Sequence, residues 1–336
     1  MSDHMEVWIR AYSIPHRVAE LACKAEDWGF TGLLLADSQN LTADIWVELA
    51  LAGAATSRLR LGPGVTNPVT RNPAVTASAA ANLQAETGGR AVLGLARGDS
   101  ALAHIGRHPV PVAELEDALE AIQGYLRGDE VELNGIMSTI QWLPDPDLPK
   151  VPVEVAATGP RMIAAAARHA EGVNLTLGAE LERLHWGIDT ARKAANGNIS
   201  LGAFVNVAVD DDREAAHELV RGTVATFARF GTEGAPTAGP SDASRRGIAP
   251  YQKERHGEAG APHAQGLDGE FIDRFAVAGP PDEVRDRLLE IRAVGIERLI
   301  IVPGSLDADP KALQKSNDRF ASDVLPALLG SGLGRH

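Results

Sequence analysis

The chain has 336 residues, of which 44% are apolar and 23% are charged, so it can bury a sizeable core. Its formal net charge of −13 argues against nucleic acid as a partner, because polyanion-binding proteins usually present a basic face. No stretch approaches the roughly 18 uncharged apolar residues that a membrane span needs. The single cysteine, Cys23, cannot form an internal disulfide, and no secretory signal is visible, so we expect a cytoplasmic protein.

Short apolar runs alternate with amphipathic segments along the first half of the chain. Apolar runs bounded by turn residues predict β-strands, and apolar residues at helical spacing predict α-helices. The strands predicted here are 6–12, 32–36, 59–65 and 90–96. The helices predicted here are 15–28, 43–55, 73–86 and 112–127. Residues 130–142 alternate too regularly for a helix and predict a short hairpin.

The second half repeats this alternation. Its predicted strands are 153–157, 172–176, 201–209, 275–278 and 298–302. Its predicted helices are 160–169, 180–195, 213–230, 282–294 and 310–329. Residues 231–267 hold clustered Gly, Pro, Ala and charged residues without a clean period, which indicates an inserted, lid-like segment.

The number and character of the strands predict the fold class. Eight or nine strands that alternate with helices, most of them apolar on both faces, are typical of parallel sheets covered by helices. The first predicted strand is not followed by the Gly-x-Gly-x-x-Gly turn of an open dinucleotide-binding sheet. We therefore predict an α/β protein with a single (β/α)8 TIM barrel over residues 1–336, with insertions. In such barrels the chemistry lies in loops at the carboxyl ends of the strands.

Three of these loops carry motifs of a known family. Residues 62–73, GPGVTNPVTRNP, closely resemble the loop after the third strand of F420-dependent methylenetetrahydromethanopterin reductases, which are bacterial-luciferase-like barrels. Residues 88–99, GGRAVLGLARGD, resemble the family's fourth strand and its Gly-Asp turn. Residues 156–162, AATGPRM, and AEGV at 170–173 are similar to its phosphate-end turn and following strand, and residues 275–283, FAVAGPPDE, also match. The resemblance spans nearly the whole chain.

The resemblance implies coenzyme F420 as the cofactor, with its ring held by the loop after the third strand. The family places a non-proline cis peptide between Gly64 and Val65, where the backbone bulges under the ring. Thr66 and Asn67 would then offer polar groups to the edge of the ring. A plain Gly-Pro-Gly turn at the end of the strand is the alternative for this loop.

Two further turns are expected to hold the anionic part of the cofactor. One opens the predicted helix 160–169, where free N–H groups and the helix dipole favour a phosphate, with Gly159 allowing close approach and Arg161 as a counter-charge. Its expected binding residues are Ala157, Thr158, Gly159, Pro160 and Arg161. The other turn consists of Arg97, Gly98 and Asp99; pairing of Arg97 with Asp99 alone is the alternative.

Asp37, Ser38 and Arg10 are the candidates for orienting the substrate or handling its proton. The family places an acidic residue near the ring at the position of Asp37, although a helix cap is the alternative. Ser38 stands where the resembling enzymes usually carry His, and Arg10 where the methanopterin reductases carry a Glu thought to donate a proton. A guanidinium cannot play that role, and could instead hold a substrate carboxylate or carbonyl, or pair with Asp37. These departures weaken the case for methylenetetrahydromethanopterin as the substrate.

The sequence therefore predicts an oxidoreductase that delivers a hydride from reduced F420 to an electron-poor C=C, C=N or C=O bond of a small metabolite. The alternatives are an FMN-dependent luciferase-like monooxygenase and a non-catalytic cofactor-binding barrel. The resemblance also implies a homodimer, formed through the helices after the second and third strands. No metal is predicted, because the ten histidines show no metal-ligand spacing. His104 and His108, in the loop beyond Asp99, and His256 and His263, in the lid-like segment, could reach the site, although lone loop histidines are more often solvated.

Overall fold

A computed structural model describes residues 5–143, 147–228 and 250–330. The predicted lid-like segment, 231–267, falls partly on residues 229–249, which lie outside the described residues. The assignment of the whole chain to one domain with such a segment therefore stays a prediction.

Parallel strands close into a barrel. The described strands are β1 (Glu6–Tyr12), β2 (Gly32–Ala36), β3 (Arg60–Pro63), β4 (Leu93–Leu95), β5 (Val131–Leu133), β6 (Ile136–Ser138), β7 (Val153–Ala157), β8 (Gly172–Leu175), β9 (Ser200–Val209), β10 (Val277–Gly279) and β11 (Arg298–Val302). Eight of them pair in the order β3-β2-β1-β11-β9-β8-β7-β4. Two parallel bridges close the ring between β3 and β4. One joins Leu61 in β3 to Ala91 before β4, and the other joins Thr66 after β3 to Leu95 in β4. The predicted (β/α)8 TIM barrel is confirmed.

Two strand pairings lie outside this ring. β5 and β6 form an antiparallel hairpin, which confirms the hairpin predicted over residues 130–142. β10 pairs in parallel with the end of β9, through Val277 with Val207 and Gly279 with Val209. It is therefore an extra strand beside the barrel and not one of its eight members.

Helices surround the ring. The described α-helices up to residue 228 are α1 (Val18–Trp28), α2 (Ile45–Ala55), α3 (Pro73–Glu86), α4 (Ser100–Ala103), α5 (Val112–Arg127), α6 (Pro160–His169), α7 (Leu181–Ala194) and α8 (Arg213–Ala228). The later ones span Pro262–Gln265, Gly269–Phe275, Pro281–Ala293, Pro310–Arg319 and Leu325–Leu329. In the described parts of the chain, none of the helices has the length and apolar character of a membrane span.

Two of the predicted elements near the C-terminus were wrong in detail. Phe275 ends an unpredicted helix, Gly269–Phe275, which begins where Asp268 accepts a hydrogen bond from the N–H of Phe271 at 2.8 Å. The strand predicted over 275–278 therefore starts later, at Val277. The single helix predicted over 310–329 contains a π-helical turn at Phe320–Val324. We attribute this turn to Pro326, which has no N–H to continue the α-helical bonds.

The first helix also begins later than predicted. It starts at Val18 and not at residue 15, because His16 has a left-handed backbone with a φ of 67°. A left-handed residue interrupts the regular hydrogen bonds of a right-handed helix. The start of α1 therefore depends on the backbone conformation of His16, which cannot be predicted from the spacing of apolar residues.

Glycines allow β3 and β4 to approach each other closely. A Cβ added at Gly62 would lie 2.0 Å from the carbonyl oxygen of Val92, and one added at Gly94 would lie 2.2 Å from that of Pro63. No real side chain fits such a contact, so both positions need glycine. The closure of the barrel between these two strands therefore depends on residues without side chains.

Charged side chains fill the barrel at the amino ends of its strands. Arg298 is buried and forms hydrogen-bonded ion pairs with Glu154 and, at 2.6 Å, with Glu6. Asn174 donates a further hydrogen bond to Glu154 at 2.9 Å, and the Trp8 indole N–H donates one to Glu6 at 3.1 Å. A buried charge is tolerated only when it is paired and hydrogen-bonded, and this network meets that condition.

Glu26 fixes the chain where it enters β3. Its carboxylate accepts hydrogen bonds from the backbone N–H groups of Ser57 at 3.1 Å, Arg58 at 2.6 Å and Leu59 at 2.7 Å. Burial alone would raise the pKa of Glu26, but the N–H groups of Arg58, Leu59 and Ser57 outweigh it and lower the pKa to about 2. The ionised carboxylate thus ties α1 to the start of β3.

We expect the substitution Glu26→Gln to lower the free energy of unfolding at pH 7 by about 1–3 kcal/mol, because a neutral amide is a weaker acceptor for three N–H groups. The folded pKa lies below the unfolded value of 4.5, so this difference is present above pH 4.5 and is lost as the pH falls towards 2. Urea unfolding at pH 7, 5 and 3.5 measures it.

Glu182→Gln is the matched control for this prediction. Glu182 is exposed in the first turn of α7, so its substitution should leave the free energy of unfolding nearly unchanged at each pH. If the loss in free energy of unfolding caused by Glu26→Gln stays the same from pH 7 to pH 3.5, the proposed role of the carboxylate charge is contradicted.

Candidate active site

An open cavity of about 440 Å³ lies at the carboxyl ends of the barrel strands. We call it the mouth cavity. Fourteen of the fifteen residues predicted for the site line it, and their roles stay predictions. They are Arg10, Asp37, Ser38, Gly64, Val65, Thr66, Asn67, Arg97, Gly98, Asp99, Thr158, Gly159, Pro160 and Arg161.

The structure does not bring Ala157 to this cavity, although it was predicted to bind the cofactor. Its side chain is 2% exposed and packs in the main apolar core. Its carbonyl oxygen accepts a hydrogen bond from the backbone N–H of Thr176 at 2.9 Å. Ala157 therefore ends β7 and supports the turn that follows, while Thr158 is the first residue of that turn to reach the cavity.

Twelve further residues of the cavity wall were not among the predicted site residues, including Phe204, Thr226, Phe227 and His256. The rings of Phe204 in β9 and Phe227 in α8 lie 6.2 Å apart and supply apolar surface. The position of Phe204 in a barrel strand could have indicated an inward side chain, because such residues alternate inward and outward.

The expectation that the loop histidines are solvated was wrong for two of them. His256 is 4% exposed and His263 is also buried, both in the described part of the predicted lid-like segment. The ring of Tyr251 contacts both: its hydroxyl hydrogen-bonds to Nδ1 of His256, and its centroid lies 4.3 Å from that of His263. His108 is exposed, as expected, whereas His104 is half-buried and its ring lies 6.4 Å from that of His256. The burial of these histidines was not visible in the sequence, because the segment shows no hydrophobic period.

The loop after β3 has the backbone that the resemblance implied. The peptide bond between Gly64 and Val65 is cis, which confirms the expected geometry over the alternative of a plain turn. The N–H of Gly64 donates to the carbonyl oxygen of Leu35 at 2.6 Å, and the N–H of Thr66 donates to that of Gly94 at 3.0 Å. The loop is therefore held between β2 and β4.

The side chains of Thr66 and Asn67 are engaged within the protein. The hydroxyl of Thr66 donates to Oδ2 of Asp37 at 2.6 Å. Oδ1 of Asn67 accepts the backbone N–H groups of Val69 and Thr70, each at 3.0 Å. Both side chains are buried and stabilise the loop, so they shape the cavity wall as well as lining it.

Asp37 is a buried carboxyl at the end of β2, with 5% of its surface exposed. Besides the bond from Thr66, it accepts one from Nε2 of Gln39 at 2.6 Å. Burial raises the pKa of Asp37 above its usual range, although the hydrogen bond from Thr66 and the charge of Arg71 oppose the shift. The alternative role as a helix cap is wrong, because Asp44 caps α2 by accepting the N–H of Trp46 at 2.9 Å.

Arg10 is half-buried at the edge of the mouth cavity. Its Cζ atom lies 4.5 Å from the centre of the Tyr12 ring, a cation–π contact that orients the guanidinium. In the residues that the structure describes, no ion pair joins Arg10 to Asp37, so the pairing considered for these two residues does not form. The guanidinium remains a positive charge at the cavity wall.

The electrostatics of the mouth cavity favour an anion. Arg97 and Arg161 line the cavity together with Arg10, and Nε of Arg97 is fixed by a hydrogen bond to the carbonyl oxygen of Val110. Helix α6 begins at Pro160, and Gly159 before it provides no side-chain cap, so the first-turn N–H groups and dipole of the helix act at this opening. A Cβ added at Gly159 would meet no atom within 4 Å, so the space in front of the helix is open.

Comparisons with known proteins agree with this geometry. The sequence model of the luciferase-like monooxygenase family matches residues 2–298. The 5,10-methylenetetrahydromethanopterin reductase of Methanopyrus kandleri is 30% identical over an alignment of 345 positions, which covers 93% of this chain and 95% of the relative. That of Archaeoglobus fulgidus is 29% identical over 322 residues, covering 90% and 93%. The solved structure of the coenzyme F420 dependent tetrahydromethanopterin reductase from Methanopyrus kandleri matches with a TM-score of 0.74 at 25% identity, covering 97% of this chain and 99% of that one.

We expect the substitution Thr66→Val to raise the pKa of Asp37 further, because it removes a hydrogen bond that favours the carboxylate. A titration of the Asp37 carboxyl carbon by NMR, assigned with the Asp37→Asn variant, measures this shift. Thr70→Val is the matched control, since the Thr70 hydroxyl contacts Asn67 and not Asp37. An unchanged or lowered pKa in Thr66→Val would rule out the proposed control of Asp37 by Thr66.

Proposed function

The chain belongs to the luciferase-like monooxygenase family, and we propose that it is an F420-dependent oxidoreductase, because the similar reductase of Methanopyrus kandleri is coenzyme F420 dependent. It transfers a hydride from the reduced deazaflavin to an electron-poor C=C, C=N or C=O bond of a small metabolite. One observation carries the proposal: a single cavity gathers the loop at Gly64 and Val65, the buried Asp37 carboxyl and the uncapped start of α6. A cytoplasmic location, predicted from the sequence, is part of the proposal.

The mouth cavity fits a cofactor that has a flat ring and an anionic tail. Three guanidinium groups, from Arg10, Arg97 and Arg161, line it and outnumber its two carboxyl groups, from Asp37 and Asp99, in a protein whose formal net charge is −13. The start of α6 adds a further preference for phosphate. Val65 packs against the inner apolar cluster that contains Phe204, and both residues line the cavity, which gives a ring an apolar surface to lie on. These residues would hold the cofactor.

When bound, reduced F420 supplies the hydride. The chain's own residues hold the acceptor in place. We assign Arg10 and Ser38 to donate hydrogen bonds to the acceptor's oxygen, nitrogen or carboxylate. Asp37 is assigned to proton handling, because burial brings its pKa closer to neutral than that of an ordinary aspartate. The bonds from Thr66 and Gln39 keep this carboxyl in position.

We expect oxidised F420 to bind the purified protein at least about tenfold more tightly than FMN, a difference of about 1.4 kcal/mol. Cofactor fluorescence titrations measure both affinities, and a panel of enones, imines and ketones with reduced F420 then tests turnover. Tight FMN binding without F420 binding would favour the monooxygenase alternative and overturn the proposal. F420 binding with no turnover of any acceptor would instead indicate the non-catalytic barrel.

The Arg161→Gln variant tests whether the anionic tail of the cofactor binds at the start of α6. It should weaken F420 binding about two- to fivefold, as expected for an exposed ion pair, and the loss should shrink at high salt. Arg58→Gln is the matched control, because Arg58 is exposed, precedes the amino end of β3 and does not line the mouth cavity at the carboxyl ends of the strands. Equal effects of the two substitutions would argue against a tail site at the start of α6.

We also propose that the chain forms a homodimer through α2 and α3. Val47 and Leu51 on α2 are 60% and 52% exposed, and Val75 on α3 is 52% exposed. The one charged side chain of α2, Glu48, is buried, so the outer face of this helix is apolar. Exposed apolar faces of this kind mark protein interfaces, and in a twofold dimer the same patch meets itself. A second copy of the chain is therefore the expected partner.

The double substitution Val47→Glu and Leu51→Glu should convert the dimer to a monomer of 35.4 kDa, because it places four charges in a twofold apolar interface. Light scattering after size-exclusion chromatography measures the mass. Ile136→Glu is the control, since Ile136 is an exposed apolar residue on the β5–β6 hairpin and away from α2. Dissociation by Ile136→Glu, with the α2 variant still dimeric, would move the interface to the hairpin.

A further inference from the structure

A second cavity of about 440 Å³ opens beside the first, and we call it the outer cavity. It lies between α1, the segment after β11 and the helix Pro310–Arg319. Arg10 lines both this cavity and the mouth cavity. No residue assigned to the proposed hydride transfer, apart from Arg10, contributes to its wall.

Most of the wall of the outer cavity is apolar. Ile14, Leu21, Leu306 and Leu313 contribute large aliphatic side chains from three separate parts of the chain. Ile14 and Leu306 are exposed, although both side chains face this cavity. Apolar surface gathered in a concave site and left open to solvent is typical of ligand pockets, and the volume falls within their usual range of about 300–1,000 Å³.

The charges of the outer cavity are mainly positive. Its charged side chains are Arg10, Arg17, Lys24 and Glu20, and Glu20 forms an ion pair with Lys24 at 2.9 Å. In the described parts of the chain, neither Arg10 nor Arg17 forms an ion pair with a carboxylate. Three cations against one anion stand out in a protein whose formal net charge is −13. The cavity therefore offers net positive charge next to an aliphatic wall.

We propose that the outer cavity is a binding site for an amphipathic acid, an unbranched apolar chain that ends in one carboxylate. The aliphatic wall buries the chain, and the carboxylate meets the positive charges of Arg10, Arg17 and Lys24. A small polar anion such as phosphate would leave the apolar wall uncovered, and an uncharged alcohol would leave Arg10 and Arg17 without a carboxylate. The site does not rest on the proposed redox function.

The test is a calorimetric titration of the full-length protein with hexanoate, octanoate and decanoate below their micellar concentrations. The affinity should rise about tenfold for each two added CH2 groups, as expected when the chain is buried. Decanoate should bind more tightly than 1-decanol, and inorganic phosphate should not bind at millimolar concentration. An affinity that is independent of chain length, or equal for acid and alcohol, would overturn the proposal.

Variants locate the acid. The double variant Arg17→Gln with Lys24→Gln should weaken decanoate binding about five- to twentyfold, whereas Lys193→Gln, an exposed lysine on α7, should have no effect. All three replaced side chains are exposed, so the variants should keep the thermal unfolding of the parent protein. Equal binding by the double variant and the control would overturn the assignment.

A competition experiment separates this site from the mouth cavity. Saturating decanoate should leave the fluorescence titration with oxidised F420 unchanged apart from any effect transmitted by Arg10. Full displacement of F420 by decanoate would place the acid in the mouth cavity and overturn the proposal. If F420 does not bind at all, the proposed redox function fails, while the chain-length series and the double variant still decide the outer cavity.

Discussion

The close approach of β3 and β4 is the constraint on which the site depends. Gly62 and Gly94 let the two backbones come within reach of each other, and the N–H of Thr66 then bonds to the carbonyl oxygen of Gly94 at 3.0 Å. The N–H of Ala96 donates in turn to the carbonyl oxygen of Thr66 at 2.9 Å. These contacts close the ring of parallel strands and fix the loop after β3 at the mouth. Larger residues at either glycine would separate the strands and move this loop.

The fixed loop in turn sets the chemistry of Asp37. Thr66 can bond to the carboxyl only because the backbone on both sides of it is held by β2 and β4. The carboxyl is thus buried, which raises its pKa, yet both of its oxygens have hydrogen-bond donors from Thr66 and Gln39. A buried carboxyl that is held in position and whose pKa is raised is suited to exchange a proton with a bound molecule.

Local positive charge in an acidic protein links the two proposed ligand sites. The formal net charge of −13 keeps the surface as a whole unfavourable to anions, while Arg10, Arg97 and Arg161 surround one cavity and Arg10 and Arg17 face the other. Anionic ligands are therefore favoured at these openings more than elsewhere on the molecule. Arg10, oriented by the Tyr12 ring, belongs to both cavities, so a ligand in either one affects the same guanidinium.

The sequence by itself determined the order of the strands and helices, the barrel, and the loops that meet at its mouth. Apolar runs and helical spacing are local properties, so elements such as 32–36, 73–86 and 153–157 could be predicted to the residue. Only the tertiary structure decided that Thr66 forms a hydrogen bond with Asp37 and that Arg10 forms no ion pair with Asp37 among the described residues. It also decided that His256 lines the mouth cavity. These contacts join residues far apart in the chain. They form only after the ring closes, and no local pattern records which side chains then meet.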